Sequence, residues 1–191
     1  ETTRSVWVPP GDWEDAWDGS TVTGPKTISV TQPYEKQPMW HRASGGVVVS
    51  TSSPGPRIED GDWSTLTLDV HTPKSGESVD VKRMVVERGL EASRTFLRFA
   101  TSNGKATLKV SAASAARAWV LRLHLRPGQR VASASLIGET EPVPLVHLTE
   151  TSPNHFPFGG VGAGPARFAG PIAEIKVVAS ASARELELTL V

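Results

Sequence analysis

The sequence predicts an all-β protein built from two antiparallel β-sandwich domains, with little or no helix. Its 17 glycines and 15 prolines punctuate short runs rich in Val, Thr, Leu and Trp, a pattern typical of strands separated by turns. In several of these runs apolar and polar residues alternate with a period of two. That period is the one expected of strands with a single buried face.

The clearest alternation occurs over residues 65–70, where Leu66, Leu68 and Val70 share one face of a predicted half-buried antiparallel strand. Residues 119–125 repeat this pattern. Further strands are predicted at residues 5–8, 27–31, 46–50, 96–100, 106–111, 131–137, 172–178 and 185–191. Their close spacing is typical of sandwiches.

Two segments between the strands lack a clear period. Residues 111–117 are rich in Ala and Ser but too short for a stable helix, so we expect a hairpin connection there. Residues 149–171 carry Pro, Gly and Phe without periodicity, and an irregular loop of this length is usually functional or loosely ordered.

The predicted domain boundary follows the strand that ends at Val70, because Pro and Gly interrupt the pattern over residues 71–76. We therefore expect a proximal sandwich over residues 1–72 and a distal sandwich over residues 73–191. The first unit would contain only about five strands, so it should need a neighbour to cover its apolar faces.

Composition excludes several classes of function. Twenty basic residues balance twenty acidic ones, so no overall field would attract nucleic acid or an anionic membrane. The chain has no cysteine, which excludes disulfides and thiol chemistry. No apolar run reaches the length of a membrane helix and no signal-peptide core is present. The compartment stays open, with a secreted or organellar-lumen protein slightly favoured.

Residues 6–19 read V-W-V-P-P-G-D-W-E-D-A-W-D-G and form the most specific stretch of the chain. Together with residues 24–30 and residues 37–43, they resemble the region that follows the catalytic barrel in glycoside hydrolase family 31, the α-glucosidase-like enzymes. The resemblance continues through residues 62–70 and 89–99. An acidic turn usual in the family is replaced by Lys-Ser-Gly at residues 74–76.

This resemblance implies a proximal and a distal β-sandwich that brace a (β/α)8 barrel, carried upstream in the same protein or by a processed subunit. In the family the two catalytic Asp residues belong to the barrel, so the resemblance implies no catalytic residue and no cofactor in this chain. A start at Glu1 rather than Met also suggests a piece of a longer polypeptide. The parent protein is expected to be an α-glycosidase.

Six tryptophans offer an alternative function, because exposed aromatic rings stack on sugars, whereas buried ones fill cores and interfaces. Trp13 and Trp63 stand beside turns that contain Asp and Gly. They are the predicted carbohydrate-binding residues, together with Asp12 and Asp62, for an α-glucan or oligosaccharide. A third hypothesis is a structural or cell-surface β-sandwich without catalysis.

The other candidate groups of residues are interpreted as structural rather than functional. We interpret the acidic residues of the first hairpin as solvated turn residues rather than a cation site; they are Asp12, Glu14, Asp15 and Asp18. The five histidines lack zinc-motif spacing, so a metal site would have to be assembled from distant strands, and none is predicted. No serine-nucleophile motif is present, and the Gly-rich residues 159–165 are interpreted as a surface loop.

Overall fold

The computed structural model describes residues 1–15, 20–34, 38–53, 62–74, 76–85, 94–112, 116–140, 143–148 and 172–191. All regular elements in these ranges are β-strands, which confirms the all-β prediction, and no helix there could cross a membrane. The strands are Thr2–Asp15 (β1), Thr21–Gln32 (β2), Trp40–Arg42 (β3), Val47–Ser53 (β4), Asp62–His71 (β5), Val79–Val85 (β6), Thr95–Ser102 (β7), Lys105–Val110 (β8), Arg117–His124 (β9), Val131–Leu136 (β10), Leu145–Leu148 (β11), Ile172–Ser180 (β12) and Arg184–Leu190 (β13).

The strands form three sheets. β1 lies between β2 and β3 in an antiparallel sheet that we call the N-terminal sheet. The other ten strands form two five-stranded sheets, with the orders β10-β13-β8-β7-β6 and β11-β12-β9-β5-β4. The tight hairpin between β7 and β8 turns through Asn103 and Gly104, both with positive φ, as a two-residue hairpin turn requires.

One apolar core joins the two five-stranded sheets into a sandwich. Leu66 and Leu121 come from one sheet and Phe99 and Leu108 from the other, and all four are at most 2% exposed. Burying a side chain of this kind contributes about 1.5–3 kcal/mol. Alternate positions point outward and carry cross-strand ion pairs, such as the bidentate pair in which the Arg98 guanidinium donates to Asp80 at 2.8 and 2.9 Å.

The strand β5 differs from its prediction in two respects. It is antiparallel to β4 but parallel to β9, and it is buried on both faces, since Thr67 and Asp69 are as enclosed as Leu68. The alternation of apolar residues correctly placed Leu68 in the core. At the His71 end of the polar face, side chains of the N-terminal sheet lie against the strand.

Strand pairing crosses the predicted boundary at residue 72. β4 and β5 precede that boundary, yet β5 is hydrogen-bonded to β9 along its length. The division into domains 1–72 and 73–191 therefore stays a prediction, and the pairing favours a division near residue 44, after the last strand of the N-terminal sheet.

The predicted hairpin over residues 111–117 is wrong, because the strands that it connects, β8 and β9, belong to different five-stranded sheets. It is a crossover from one layer of the sandwich to the other. The predicted loop over residues 149–171, which contains the Gly-rich segment, lies outside the described residues.

The N-terminal sheet contains a β-bulge between Val8 and Gly11, where β1 has one extra residue relative to β2. At this point β2 approaches so closely that a Cβ on Gly24 would lie 2.0 Å from the carbonyl oxygen of Pro9, so only glycine fits. Because an extra residue reverses the alternation of side chains, Trp13 does not share the exposed face on which Trp7 lies.

Candidate functional site

Three histidines from three different strands stack at the junction between the N-terminal sheet and the sandwich. The ring of His71 lies between the other two, with centroid distances of 3.9 Å to His41 and 4.3 Å to His124. All three side chains are buried. We call these residues, with Glu14 and Asp69, the histidine cluster.

The two carboxylates of the cluster lie at its opposite ends. Oε1 of Glu14 is 3.8 Å from Nε2 of His41, and Oε2 is 4.0 Å from Nδ1 of His71. At the other end, Nε2 of His124 donates a hydrogen bond to Oδ1 of Asp69 at 3.0 Å. This bond fixes the ring of His124, against which His71 packs.

Strand register explains why these residues meet. Glu14 and His41 are directly opposite each other in the antiparallel pair of β1 and β3. His71 and His124 are partners in the parallel pair of β5 and β9, and both stand on the outward face because they are out of phase with the core leucines.

Backbone hydrogen bonds hold His71 in place under the N-terminal sheet. Its N–H donates to the carbonyl of Gly46 at 2.9 Å, and its carbonyl accepts from the N–H of Gly45 at 2.8 Å. A Cβ on Gly46 would lie 2.4 Å from the carbonyl oxygen of Arg42. The turn that follows β3 therefore needs glycine here to bring His41 and His71 together.

Burial controls the charge state of the cluster. Desolvation, with a smaller electrostatic contribution from His124, lowers the pKa of His41 from 6.5 to about 4. Desolvation also lowers the pKa of His71, with smaller contributions from His124 and His41, and raises the pKa of Glu14. At neutral pH the imidazoles of His41 and His71 are therefore uncharged, which is the form in which histidine binds a metal.

Two of the predicted carbohydrate-binding residues, Asp12 and Trp13, lie beside this cluster. Trp13 is half-buried, its Nε1 donates to the carbonyl of Pro9 at 2.9 Å, and the Arg42 guanidinium lies 5.3 Å from its ring centroid. Asp12 accepts from the Thr23 hydroxyl at 2.6 Å and forms an ion pair with Lys74, which lowers its pKa. Both side chains are therefore engaged within the protein.

The other two predicted residues, Trp63 and Asp62, lie at the start of β5. Trp63 is partly buried against the core, and its carbonyl accepts from Nη1 of Arg117 at 3.1 Å. Asp62 is exposed and accepts from the backbone N–H of Ser64 at 2.8 Å. The predicted set is thus divided between the N-terminal sheet and β5, and its role in binding sugar stays a prediction.

Among the tryptophans that the structure describes, a different one is well exposed. Trp7 is 61% exposed and shares its face of the β1–β2 ribbon with exposed hydroxyl residues. They are Thr3, Ser5, Thr27, Ser29 and Thr31. The exposure of Trp7 was missed, although the alternation of a strand puts Trp7 on the face opposite to Val6 and Val8.

The interpretation of the first hairpin's acidic residues as solvated is wrong for Glu14 and Asp15. Asp15 is buried and Glu14 is half-buried within the histidine cluster, because β3 covers this end of β1. Asp12 is ion-paired as described above, and Asp18 lies outside the described residues. Of the five histidines, the structure brings three together, whereas His147 is exposed on β11.

No family model matches this chain, and no curated protein matches it either. Solved structures do match its fold. An uncharacterized protein of Listeria monocytogenes, lmo2446, solved with glucose, magnesium and calcium, is 14% identical with a TM-score of 0.66; the match covers 99% of this chain and 17% of that one.

Two enzymes match similarly. The GH31 dextranase FjDex31A of Flavobacterium johnsoniae is 14% identical with a TM-score of 0.60, over 98% of this chain and 24% of the dextranase. The α-1,4-glucan lyase of Gracilariopsis lemaneiformis is 11% identical with a TM-score of 0.58, over 99% of this chain and 21% of the lyase. This chain thus spans about a sixth to a quarter of those proteins, and the predicted resemblance to family 31 is confirmed for the fold.

Proposed function

We propose that this chain is a non-catalytic β-sandwich region of an α-glucosidase-like protein of glycoside hydrolase family 31, and that it braces a catalytic barrel. The observation that carries the proposal is the extent of the fold match. Nearly the whole chain matches, but it corresponds to only 17–24% of the matched proteins, among them a GH31 dextranase. The rest of such a protein would hold the barrel and its bond-breaking carboxylates, and the parent protein would hydrolyse α-glycosidic bonds.

The N-terminal sheet is the surface best suited to contact a barrel. It has three strands, too few to bury both of its faces by itself. It exposes the large side chain of Trp7, at 61%, and the turn after β2 exposes Tyr34, at 76%. Aromatic residues of this kind are enriched at the centres of protein interfaces.

Trp7→Ser tests this proposal when it is made both in the isolated chain and in the longer protein that carries the barrel. In the isolated chain the ring is already exposed, so thermal unfolding should change little. In the longer protein the change should remove an interface anchor, lowering the free energy of unfolding by about 2 kcal/mol or more.

Val178→Ser is the matched control, because Val178 is 78% exposed on the sandwich. It should have a small effect in both proteins. If Trp7→Ser and Val178→Ser are equally harmless in the longer protein, Trp7 does not contact a barrel. Hydrolysis of α-glucosides by the isolated chain, abolished by a point substitution within it, would refute the non-catalytic role.

Carbohydrate binding is a second candidate, favoured by the exposed face on which Trp7 is surrounded by hydroxyl groups. An indole ring flanked by hydrogen-bonding groups suits a sugar ring, which has both C–H and O–H faces. Titration with maltose, isomaltose and α-glucans, followed by tryptophan fluorescence, tests this candidate. Trp7→Ser separates binding at this face from binding at Trp13 or Trp63, and a flat response in the unmodified chain counts against all three.

A further inference from the structure

The histidine cluster contains three side chains whose donor atoms face one another. They are Glu14, His41 and His71, whose ligand atoms, one from each residue, all lie within 4.8 Å of one another. Two imidazoles and one carboxylate form a donor set that zinc accepts in proteins. We propose that Glu14, His41 and His71 form a zinc-binding site, with water as the fourth ligand.

The distances are close to those that a zinc ion needs. Bonds of about 2.0–2.1 Å in tetrahedral geometry place neighbouring ligand atoms about 3.3 Å apart. The carboxylate oxygens of Glu14 lie 3.8 Å from Nε2 of His41 and 4.0 Å from Nδ1 of His71, and the three ligand atoms lie within 4.8 Å of one another. Side-chain rotations must therefore bring the donors closer by up to about 1.5 Å. The stacked rings, now 28° from parallel, must turn so that both lone pairs point at the ion.

The backbone already holds the three residues at the required places. Glu14 and His41 are cross-strand partners, and His71 is bonded on both sides to the glycine turn after β3. His124 is a positioning residue, because its ring packs on His71 and is itself fixed by Asp69. An ion here would join the N-terminal sheet to the sandwich.

The chemistry of the donors selects the metal. Calcium and magnesium prefer oxygen ligands, whereas neutral imidazoles suit zinc and similar transition ions. An ion can enter from the surface, because His41 lines an open depression of about 540 Å³ that it shares with Trp13 and Trp40.

Arg126 opposes a cation at this place. Its positive charge acts on Glu14 and His71, and its Nη2 is held by the carbonyl of Ala43 at 3.0 Å. The proposal therefore predicts that Arg126→Gln tightens zinc binding several-fold, which distinguishes an electrostatically defined site from non-specific binding to surface histidines.

The test uses the whole chain, free of any affinity tag and stripped of metal with EDTA. Isothermal titration with zinc chloride should show one ion bound per chain, and cobalt(II) should give the visible absorption of a tetrahedral site. Glu14→Gln and His41→Gln should each weaken zinc binding at least tenfold, while His147→Gln, the same change at an exposed histidine, leaves it unaltered.

Circular dichroism of the metal-free variants shows whether each has folded. If Glu14→Gln does not fold, His41→Gln, at the edge strand β3, decides the assignment. A chain that binds neither zinc nor cobalt overturns the proposal, as does undiminished binding by folded variants of Glu14 and His41. If His147→Gln loses as much zinc affinity as Glu14→Gln and His41→Gln, zinc binds elsewhere. If Arg126→Gln binds zinc more weakly than the unmodified chain, the charge argument is wrong.

Discussion

The integrity of the sandwich should depend on β4 and β5, although both precede the boundary predicted from the sequence. A chain of residues 73–191 lacks both strands, whereas a chain of residues 44–191 keeps them and loses only the N-terminal sheet. β5 supplies the parallel partner of β9. Without it, the leucines of β9 lose the neighbouring strand that helps to cover them.

The size of the effect follows from the side chains that β4 and β5 bury. Val47, Leu66, Leu68 and Val70 belong to the common core, and the last three are fully buried. At about 1.5–3 kcal/mol for each side chain, their loss removes about 6–12 kcal/mol. Natural domains are stable by only about 5–15 kcal/mol in total, so we expect residues 73–191 not to fold.

The assay compares the two shortened chains by near-ultraviolet circular dichroism and by thermal unfolding. Residues 44–191 should give a cooperative transition and a fixed aromatic signal, because their core remains complete. Residues 73–191 should show neither. If residues 73–191 unfold cooperatively at the same temperature as residues 44–191, the sandwich does not need β4 and β5, and the division at residue 72 is the correct one.

Three further predictions concern the apolar core, the glycine turn after β3 and the buried imidazole of His41. Leu121→Ala should lower the free energy of unfolding by about 2–5 kcal/mol, as measured with urea, while Val178→Ala should change it little. Gly46→Ala should destabilise the chain in thermal scans, because its Cβ meets the carbonyl of Arg42. Burial lowers the pKa of His41 from 6.5 to about 4. In EDTA, the free energy of unfolding should therefore be at its full value above pH 6.5 and should be lower by about 3 kcal/mol once the pH has fallen through about 4. If the His41→Phe variant shows the same pH dependence as the unmodified chain, this explanation is wrong.

The strands of the sandwich were largely predictable because alternation is local. Leu66, Leu68 and Val70, spaced by two residues, could only share one face of a strand, and the structure places them in the core. The strands β3, β6 and β11 were missed. β3 has only three residues, too few to show a period. The parallel partnership of β5 with β9 was also missed, because nothing local to either strand specifies its neighbour.

The histidine cluster could not be predicted from spacing, since its members come from four strands far apart in sequence. Two of them nevertheless carried a usable indication. His71 and His124 are each the last residue of a core strand. Each directly follows a residue that faces the core, so its own side chain points outward. Had β5 and β9 been recognised as neighbours, the outward direction of both side chains would have placed the two rings at the same end of one sheet face.

The central claim, that the N-terminal sheet is covered by another part of a larger protein, is tested most directly by amide hydrogen exchange. Exchange would be measured in the isolated chain and in the longer protein that carries the barrel. We expect slower exchange in the longer protein for β1 and β2, around Trp7, and equal rates in β5 and β9, which the sandwich already buries. Equal rates throughout the N-terminal sheet in the two proteins would contradict the claim.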